Sequence, residues 1–146
     1  MASYNKFNNF TDYLVGNRSG QSIKVITDTF KILLTNTAPV ATNTKYSDIS
    51  GTELANGNGY TTGGAASAVT ANNTTGTETV VAADVTFTAT GSMGPFRYAV
   101  FYDTTPTDQP LICWFDYGSN VTLSSGESFT VEPNSASPNG TLFTLA

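Results

Sequence analysis

The sequence has no histidine, a single cysteine and few charged residues. Charged side chains make up 12% of the 146 residues, about half the share that is usual in soluble domains. Without histidine, a Ser/His/Asp or Cys/His nucleophile cannot be assembled in the usual way, and zinc and copper sites lose a common ligand. Cys113 stands inside an apolar run, so we expect a buried, inert thiol. We therefore expect no catalytic residue, no metal site and no cofactor.

Carboxylates are the remaining candidates for chemistry. Asp103, Asp108 and Asp116 are close together in the sequence. A pair of carboxylates can hydrolyse a glycosidic bond, and carboxylate oxygens can bind Ca²⁺. Aspartate is also the usual residue at strand ends and turns, and we favour this interpretation over a calcium site or a small glycosidase.

Long apolar runs are missing as well. No stretch is long enough to span a membrane. The first residues, MASYNKFNNFTDYL, contain no basic region followed by an apolar one, so we expect no secretory signal. With only six lysines and arginines in the chain, we expect no nucleic-acid partner and no membrane partner.

Threonine, asparagine, serine and glycine supply most of the polarity. Roughly one residue in six is threonine, a composition that suits short strands and turns and is poor for helices. A chain of 146 residues is long enough for one domain with a sizeable core. The composition predicts an all-β domain.

The strongest β signal comes from two segments, residues 96–103 and 111–117, which predict a hairpin. Aromatic and β-branched residues fill both arms. A hairpin with one wet face should alternate apolar and polar residues, whereas this one is largely apolar on both faces. Either another part of the chain or a neighbouring subunit must therefore cover the second face.

The rest of the chain predicts short elements around this hairpin. Apolar residues at helical spacing predict an N-terminal helix with Ser3 as N-cap and Gly16 at its end; they are Tyr4, Phe7, Phe10 and Leu14. Further strands are predicted at 23–26, 29–35, 78–83, 84–90, 120–123, 128–132 and 141–145, and a short helix at 48–55. Residues 65–77 predict either a surface loop or a strand that turns near Asn72 and Asn73. The Gly-rich stretch 57–64 lacks the spacing of a phosphate-binding loop, and we interpret it as a turn or bulge.

These elements predict an antiparallel β-sandwich, or a jelly-roll-like fold, with a short N-terminal helix. The whole chain, 1–146, forms a single domain in this interpretation, with residues 1–20 as a helical segment or arm. The N-terminal part of the chain is basic: residues 1–45 carry five basic and two acidic side chains, and the rest carries one basic and nine acidic side chains. This asymmetry is either chance or a sign that the N-terminal part reaches a neighbouring copy.

Seven segments spread over nearly the whole chain together resemble small virion structural proteins of tailed bacteriophages. They are SYNKFNNFTDYL, FKILLTNTAPVATNTKYSDI, GNGYTTGG, DVTFTATG, GPFRYAVFYD, PLICWFDYG and the ending SSGESFTVE–LFTLA. The resemblance implies a protein without catalysis, most like a head decoration, or cement, protein. Such proteins are commonly compact β folds that bind the outside of the capsid and bridge neighbouring major capsid subunits.

The resemblance implies the major capsid protein and further copies of this chain as partners. It also implies a place on the capsid surface after synthesis in the host bacterial cytoplasm. A tail-tube, tail-terminator or head–tail connector component stays open as an alternative. A carbohydrate- or receptor-binding module, which would use Trp114 and tyrosine rings as stacking platforms, is another.

Aromatic and arginine side chains are favoured anchors of protein interfaces. The candidate interface residues are Tyr4, Phe7, Phe10, Phe96, Arg97, Tyr98, Phe101, Trp114 and Tyr117. About half of these nine are expected to be ordinary core residues instead. Arg97 is expected to pair with Asp103 or Asp116 inside the fold.

Overall fold

The computed structural model describes residues 2–133 and 141–145, and within them the fold is all-β. The described strands are β1 (Ser3–Lys6), β2 (Phe30–Thr35), β3 (Ala65–Ser67), β4 (Val69–Thr74), β5 (Thr77–Ala82), β6 (Val85–Thr88), β7 (Met93–Asp103), β8 (Leu111–Leu123), β9 (Ser128–Val131) and β10 (Thr141–Leu145). One helix, α1 (Phe10–Leu14), and two short 3₁₀ turns, Tyr46–Asp48 and Ser50–Thr52, complete the described elements.

The strands form three antiparallel sheets. The large sheet has the order β1-β8-β7-β2-β3, a second sheet has the order β10-β5-β4, and β6 pairs with β9 alone. Every pairing is antiparallel. The predicted all-β, sandwich-like fold is confirmed, and the finer jelly-roll topology stays a prediction.

The predicted hairpin is the centre of the large sheet, but both of its arms are longer than predicted. Residues 120–123, predicted as a separate strand, continue β8, because Val121 and Leu123 pair with Phe96 and Met93 of β7. Pairing with β7 on both sides of residues 117–120 therefore makes residues 111–123 one strand.

The main core lies on one face of the large sheet, beneath the two smaller sheets. Phe30, Ile32 and Phe101 of the large sheet belong to the same buried cluster as Val85 and Phe87 of β6. Burying such side chains contributes about 1.5–3 kcal/mol each before the entropic costs of folding. This apolar layer is what joins the sheets into one body.

The second face of the hairpin is covered by the chain itself. A smaller buried cluster there joins the N-terminal segment, the large sheet and the loop with the 3₁₀ turns: Phe7, Leu33, Ile49, Val100, Tyr102 and Leu111. The half-buried side chains of Tyr46 and Trp114 pack against this smaller cluster. Of the two alternatives predicted for this face, the structure has the intramolecular one.

The predicted N-terminal helix is wrong for most of its length. Residues 3–6 form β1, in which Ser3 pairs with Asp116 and Lys6 with Cys113 of β8. Only Phe10–Leu14 is helical, and Asn9 at its N-cap position makes no side-chain capping bond. Asparagine-rich segments form helices weakly, whereas the otherwise unpaired edge of β8 offers backbone hydrogen bonds. In this structure the basic N-terminal part therefore pairs with its own body.

Three other local predictions also need correction. Residues 23–26 belong to a turn in which the Thr27 and Asp28 N–H groups donate to the Lys24 carbonyl. Residues 48–55 contain the 3₁₀ turn Ser50–Thr52 instead of a longer helix. The chain between β4 and β5 turns at Thr75 and Gly76, both with positive φ, and not at Asn72 and Asn73. A two-residue hairpin loop needs such φ values, which glycine adopts freely.

Candidate interface groove

The nine candidate interface residues divide into two groups. Phe7, Phe10, Phe96 and Phe101 are buried, with at most 3% of each side chain exposed, so their prediction as surface anchors is corrected: they are core residues of this chain. Their apolar rings fill the two clusters between the sheets and beneath the N-terminal segment. The other five are exposed or half-buried; they are Tyr4, Arg97, Tyr98, Trp114 and Tyr117.

A bulge in β8 opens one end of the central hairpin. Phe96 and Tyr98, two residues apart on β7, pair with Val121 and Asp116, five residues apart on β8. Residues 117–120 therefore have no partners in this ladder, and all four are exposed. A bulge of this kind bends the strand and redirects side chains. Here it leaves Tyr117 51% exposed.

Beside the bulge is a groove of about 270 Å³ between the large sheet and β9. Phe96 and Phe115 of the large sheet line it, together with Tyr98, Tyr117 and Phe129. The Phe129 ring meets the Phe96 ring edge-on at 5.1 Å and the Tyr117 ring at 5.3 Å between centroids. Such edge-to-face pairs are favourable for aromatic rings. The groove is therefore mainly apolar and aromatic, with Arg97, Thr130 and Glu132 as polar lining residues, and its rings contact each other across two sheets.

An ion pair stands at the rim of this groove. Arg97 donates from Nε to Asp116 Oδ1 at 2.7 Å and from Nη2 to Oδ2 at 2.9 Å, so the predicted pairing of Arg97 is confirmed with Asp116. Asp116 also accepts the Gly118 N–H at 2.8 Å, which ties the pair to the bulge. The hydrogen bonds from Arg97 are the largest cause that lowers the pKa of Asp116.

Arg97 also contacts an aromatic ring of the groove. Its guanidinium carbon lies 5.3 Å from the centroid of the Tyr98 ring, within the range of a cation–π interaction. With both groups half-buried, the rim offers a planar cation and an aromatic ring together. This combination is frequent at the centres of protein interfaces.

Tyr4 and Trp114 lie outside the groove. Tyr4 is 43% exposed on the edge strand β1, with its ring 5.8 Å from Phe115. The Trp114 ring packs on Phe7 at 4.6 Å, on the second face of the hairpin. Cys113 is fully buried as predicted, and burial raises the pKa of its thiol.

The three clustered aspartates do not come together. Asp116 pairs opposite Tyr98, and Asp103 lies five residues further along β7, about 17 Å away at the rise of an antiparallel strand. Carboxylates that cleave a glycosidic bond stand within about 10 Å of each other. Asp103 accepts the Thr105 N–H at 2.9 Å, the turn role that the sequence favoured. Across residues 2–133 and 141–145, no three Asp, Glu, Cys or His side chains are grouped to hold a metal ion.

One polar cluster was not predicted from the sequence. The Glu53 carboxylate accepts the hydroxyls of Tyr46 and Tyr60 and the Gly63 N–H, each at 2.6 Å. Burial, and then the bond to Glu53, raises the pKa of Tyr46 to about 12. The Tyr102 hydroxyl donates to the Gly63 carbonyl at 2.7 Å. We call these five residues the Glu53 clasp, and it holds the loop at residues 46–64 against the large sheet.

Gly64 completes this attachment. Its φ is +74°, and a Cβ at this position would collide with the backbone carbonyl of Ile32 in β2. Only glycine allows the loop to approach the sheet so closely. The Gly-rich stretch therefore forms turns, as predicted, with the Gly57 and Tyr60 backbones bonded to each other at 2.8 and 2.9 Å.

Comparison with known proteins assigns no family to the chain. No protein-family model matches it, and neither a curated protein nor a solved structure matches it significantly. None of the helices described here has the length and hydropathy to cross a membrane.

Proposed function

We propose that this chain is a non-enzymatic structural protein of a tailed-phage virion, and specifically a head decoration protein. In this proposal it binds the outside of the capsid and bridges major capsid subunits. The resemblance of its sequence segments to such proteins is the first support. The antiparallel body, built from sheets joined by an apolar core, is the second, because a decoration protein must stay folded while attached to a shell.

The observation that carries the proposal is the aromatic groove beside the β8 bulge. Three of the five candidate residues that are exposed or half-buried line it: Arg97, Tyr98 and Tyr117. An exposed ring beside a half-buried arginine provides the anchors that partner proteins bind, and apolar lining supplies area to bury. The major capsid protein is the proposed occupant, and a second copy of this chain is the other partner proposed.

The first test is the copy number of the chain in purified virions, measured by quantitative densitometry against the major capsid protein. A number equal to the capsid protein, or a simple fraction of it, is expected for a protein on the head lattice. A handful of copies would instead favour the connector or tail. Complete absence from the particle would overturn the proposal.

The second test addresses the groove. Purified chain is added to capsids that lack it, and binding is measured by co-sedimentation. We expect Tyr117→Ser to weaken binding about tenfold or more, as truncation of an interface anchor does. Val40→Ser is the matched control, because Val40 is similarly exposed, at 54%, and lies outside the groove. Equal binding by the two variants would remove the groove from the proposed interface.

Two alternatives are separated by simple assays. A tail-tube or terminator component should form rings when isolated, which negative-stain electron microscopy detects. A carbohydrate- or receptor-binding module is favoured by the exposed Tyr117 ring, since aromatic rings stack on sugars. Glycan-array binding that Tyr117→Ser abolishes would support this alternative. Trp114 packs on Phe7, so we expect Trp114→Ala to reduce glycan binding less than Tyr117→Ser does.

A further inference from the structure

Asp103 is a buried carboxyl group with one bare oxygen. Its side chain has no solvent exposure. Oδ1 accepts the Thr105 N–H at 2.9 Å, whereas Oδ2 has no hydrogen-bond partner among the described residues. A buried charge without a partner is strongly unfavourable. Protonation of Oδ2 removes this cost if the proton has an acceptor nearby.

Asp28 supplies that acceptor. The hydrogen bonds that join Thr29 to Thr104 and Thr105 place Asp28 beside the end of β7, and Asp28 is one of the groups that raise the pKa of Asp103. Asp28 Oδ2 accepts the Lys24 N–H at 2.7 Å, and Oδ1 receives a longer contact of 3.5 Å from the Thr27 hydroxyl. Both Asp28 oxygens therefore act as acceptors, and a protonated Asp103 can donate to one of them.

The two aspartates stand where two segments are joined. The Thr104 N–H and hydroxyl both donate to the Thr29 carbonyl at 2.8 Å, and the Thr29 N–H donates to the Thr105 hydroxyl at 2.8 Å. We infer that Asp103 and Asp28 share one proton, and that this proton fastens residues 24–29 to the end of β7. Loss of the proton would leave two carboxylates facing each other at the junction.

The surrounding charges agree with this assignment. Burial is the largest cause that raises the pKa of Asp103 to about 7, and Asp28 raises it further. Lys24 and Asp28 line a neighbouring cleft of about 340 Å³, yet no ion pair to either aspartate occurs in the described part of the chain. Asp108, on the same loop, is directed elsewhere, with its carboxylate 3.5 Å from the Tyr13 hydroxyl.

The sign of the pH dependence follows from linkage. An unfolded aspartate has a pKa of about 4, and burial raises the pKa of Asp103 in the folded state to about 7. Between these values the folded state holds one proton more than the unfolded state, so stability falls as the pH rises. The contribution is complete below about pH 4 and is lost once the pH exceeds about 7.

Thermal unfolding of the full chain between pH 5 and pH 8 tests the inference. The wild type should lose stability across this range. Asp103→Asn should be at least as stable as the wild type at pH 8 and should lack most of the decline, because an amide can donate permanently to Asp28. Asp12→Asn, which makes the same charge change at a half-buried site elsewhere, should keep the wild-type decline.

Titration of the aspartate carboxyl groups in the folded protein tests the shared proton without an unfolding measurement. In carbon-13 NMR of labelled aspartate, one carboxyl signal should titrate near neutral pH and disappear in Asp103→Asn. Ionisation of every aspartate below pH 5 would overturn the shared proton. Stabilisation of the wild type at pH 8 by millimolar Ca²⁺, absent in Asp103→Asn, would also overturn it and indicate a bridging cation. Should Asp103→Asn fail to fold, Asp28→Asn is measured instead: the carboxyl signal near neutral pH should remain but move to lower pH, since the introduced amide can donate to Asp103 and no second carboxylate faces it.

Discussion

The two ends of the central hairpin are built differently. At the end near the loop, Val100, Phe101, Tyr102 and Leu111 are buried on both faces of the sheet. At the other end, β8 bulges, and Tyr117 stands 51% exposed beside the groove. The same kinds of apolar residue therefore build a core at one end and a surface at the other.

The difference comes from what packs against each end. The closed end is covered by the N-terminal segment and the loop at 46–64, which the Glu53 clasp holds in place. At the open end, the aromatic contacts from the other side that the described residues show come from β9, through Phe129. Aromatic content alone does not distinguish an interface from a core. The covering elements decide which of the two forms.

The largest expected effect is at the closed end. Phe7 is completely buried against Trp114, so Phe7→Ala should lower the free energy of unfolding by about 3–5 kcal/mol. Tyr117→Ala, the same truncation of an aromatic side chain at the open end, should cost about 1 kcal/mol or less. Urea unfolding of both variants measures the difference. Equal losses would mean that the two ends do not differ in the way the structure indicates.

A smaller loss is expected from removing the clasp that covers the closed end. Glu53→Ala leaves the hydroxyls of Tyr46 and Tyr60 and the Gly63 N–H without their acceptor. We expect a loss of about 2–4 kcal/mol, because hydrogen bonds to a charged acceptor are strong and half-buried donors are left unsatisfied. Glu78→Ala is the control, since Glu78 makes one exposed hydrogen bond to Asn73. A Glu53→Ala variant as stable as Glu78→Ala would show that the clasp is dispensable.

The fold was predictable wherever local pattern determines structure. The two arms of the hairpin, the turn at Ser124 and Glu127 and the closing strand at 141–145 were all predicted, because alternation and turn residues specify them locally. The N-terminal strand was missed because its conformation is decided by pairing with β8. Tertiary context of this kind overrides weak helical propensity.

The candidate site was predictable only in part. The pairing of Arg97 with one of two aspartates followed from the scarcity of cations, and Asp116 proved to be the partner. The groove was not predictable, since it needs Phe129 from a different sheet and a bulge whose position depends on the register with β7. The acceptor role of Glu53 was equally hidden, because Tyr46 and Tyr60 reach it from seven residues away on either side.

The smallest expected effect concerns the ion pair at the open end. Arg97 lowers the pKa of Asp116 below its ordinary value. Because this pKa is lower in the folded state than in the unfolded state, the ionised carboxylate stabilises the fold at pH values above about 4, the pKa of an unfolded aspartate. The stabilisation is lost as the pH falls below that value. Asp116→Asn should therefore lower Tm by about 2 °C at pH 7, as expected for an exposed pair. The difference from the wild type should shrink below pH 4 and in high salt.

A double-mutant cycle separates this pair from its neighbours. Arg97→Gln should lower Tm at pH 7 by a similar amount, and adding Asp116→Asn to it should have little further effect. The Gly118 N–H would still reach residue 116 through the Asn side-chain oxygen, so the cycle isolates the contribution of Arg97. Additive losses would mean that Asp116 acts through the bulge and not through Arg97. Arg97 would then be energetically independent of Asp116 and free to serve as an anchor for the proposed partner.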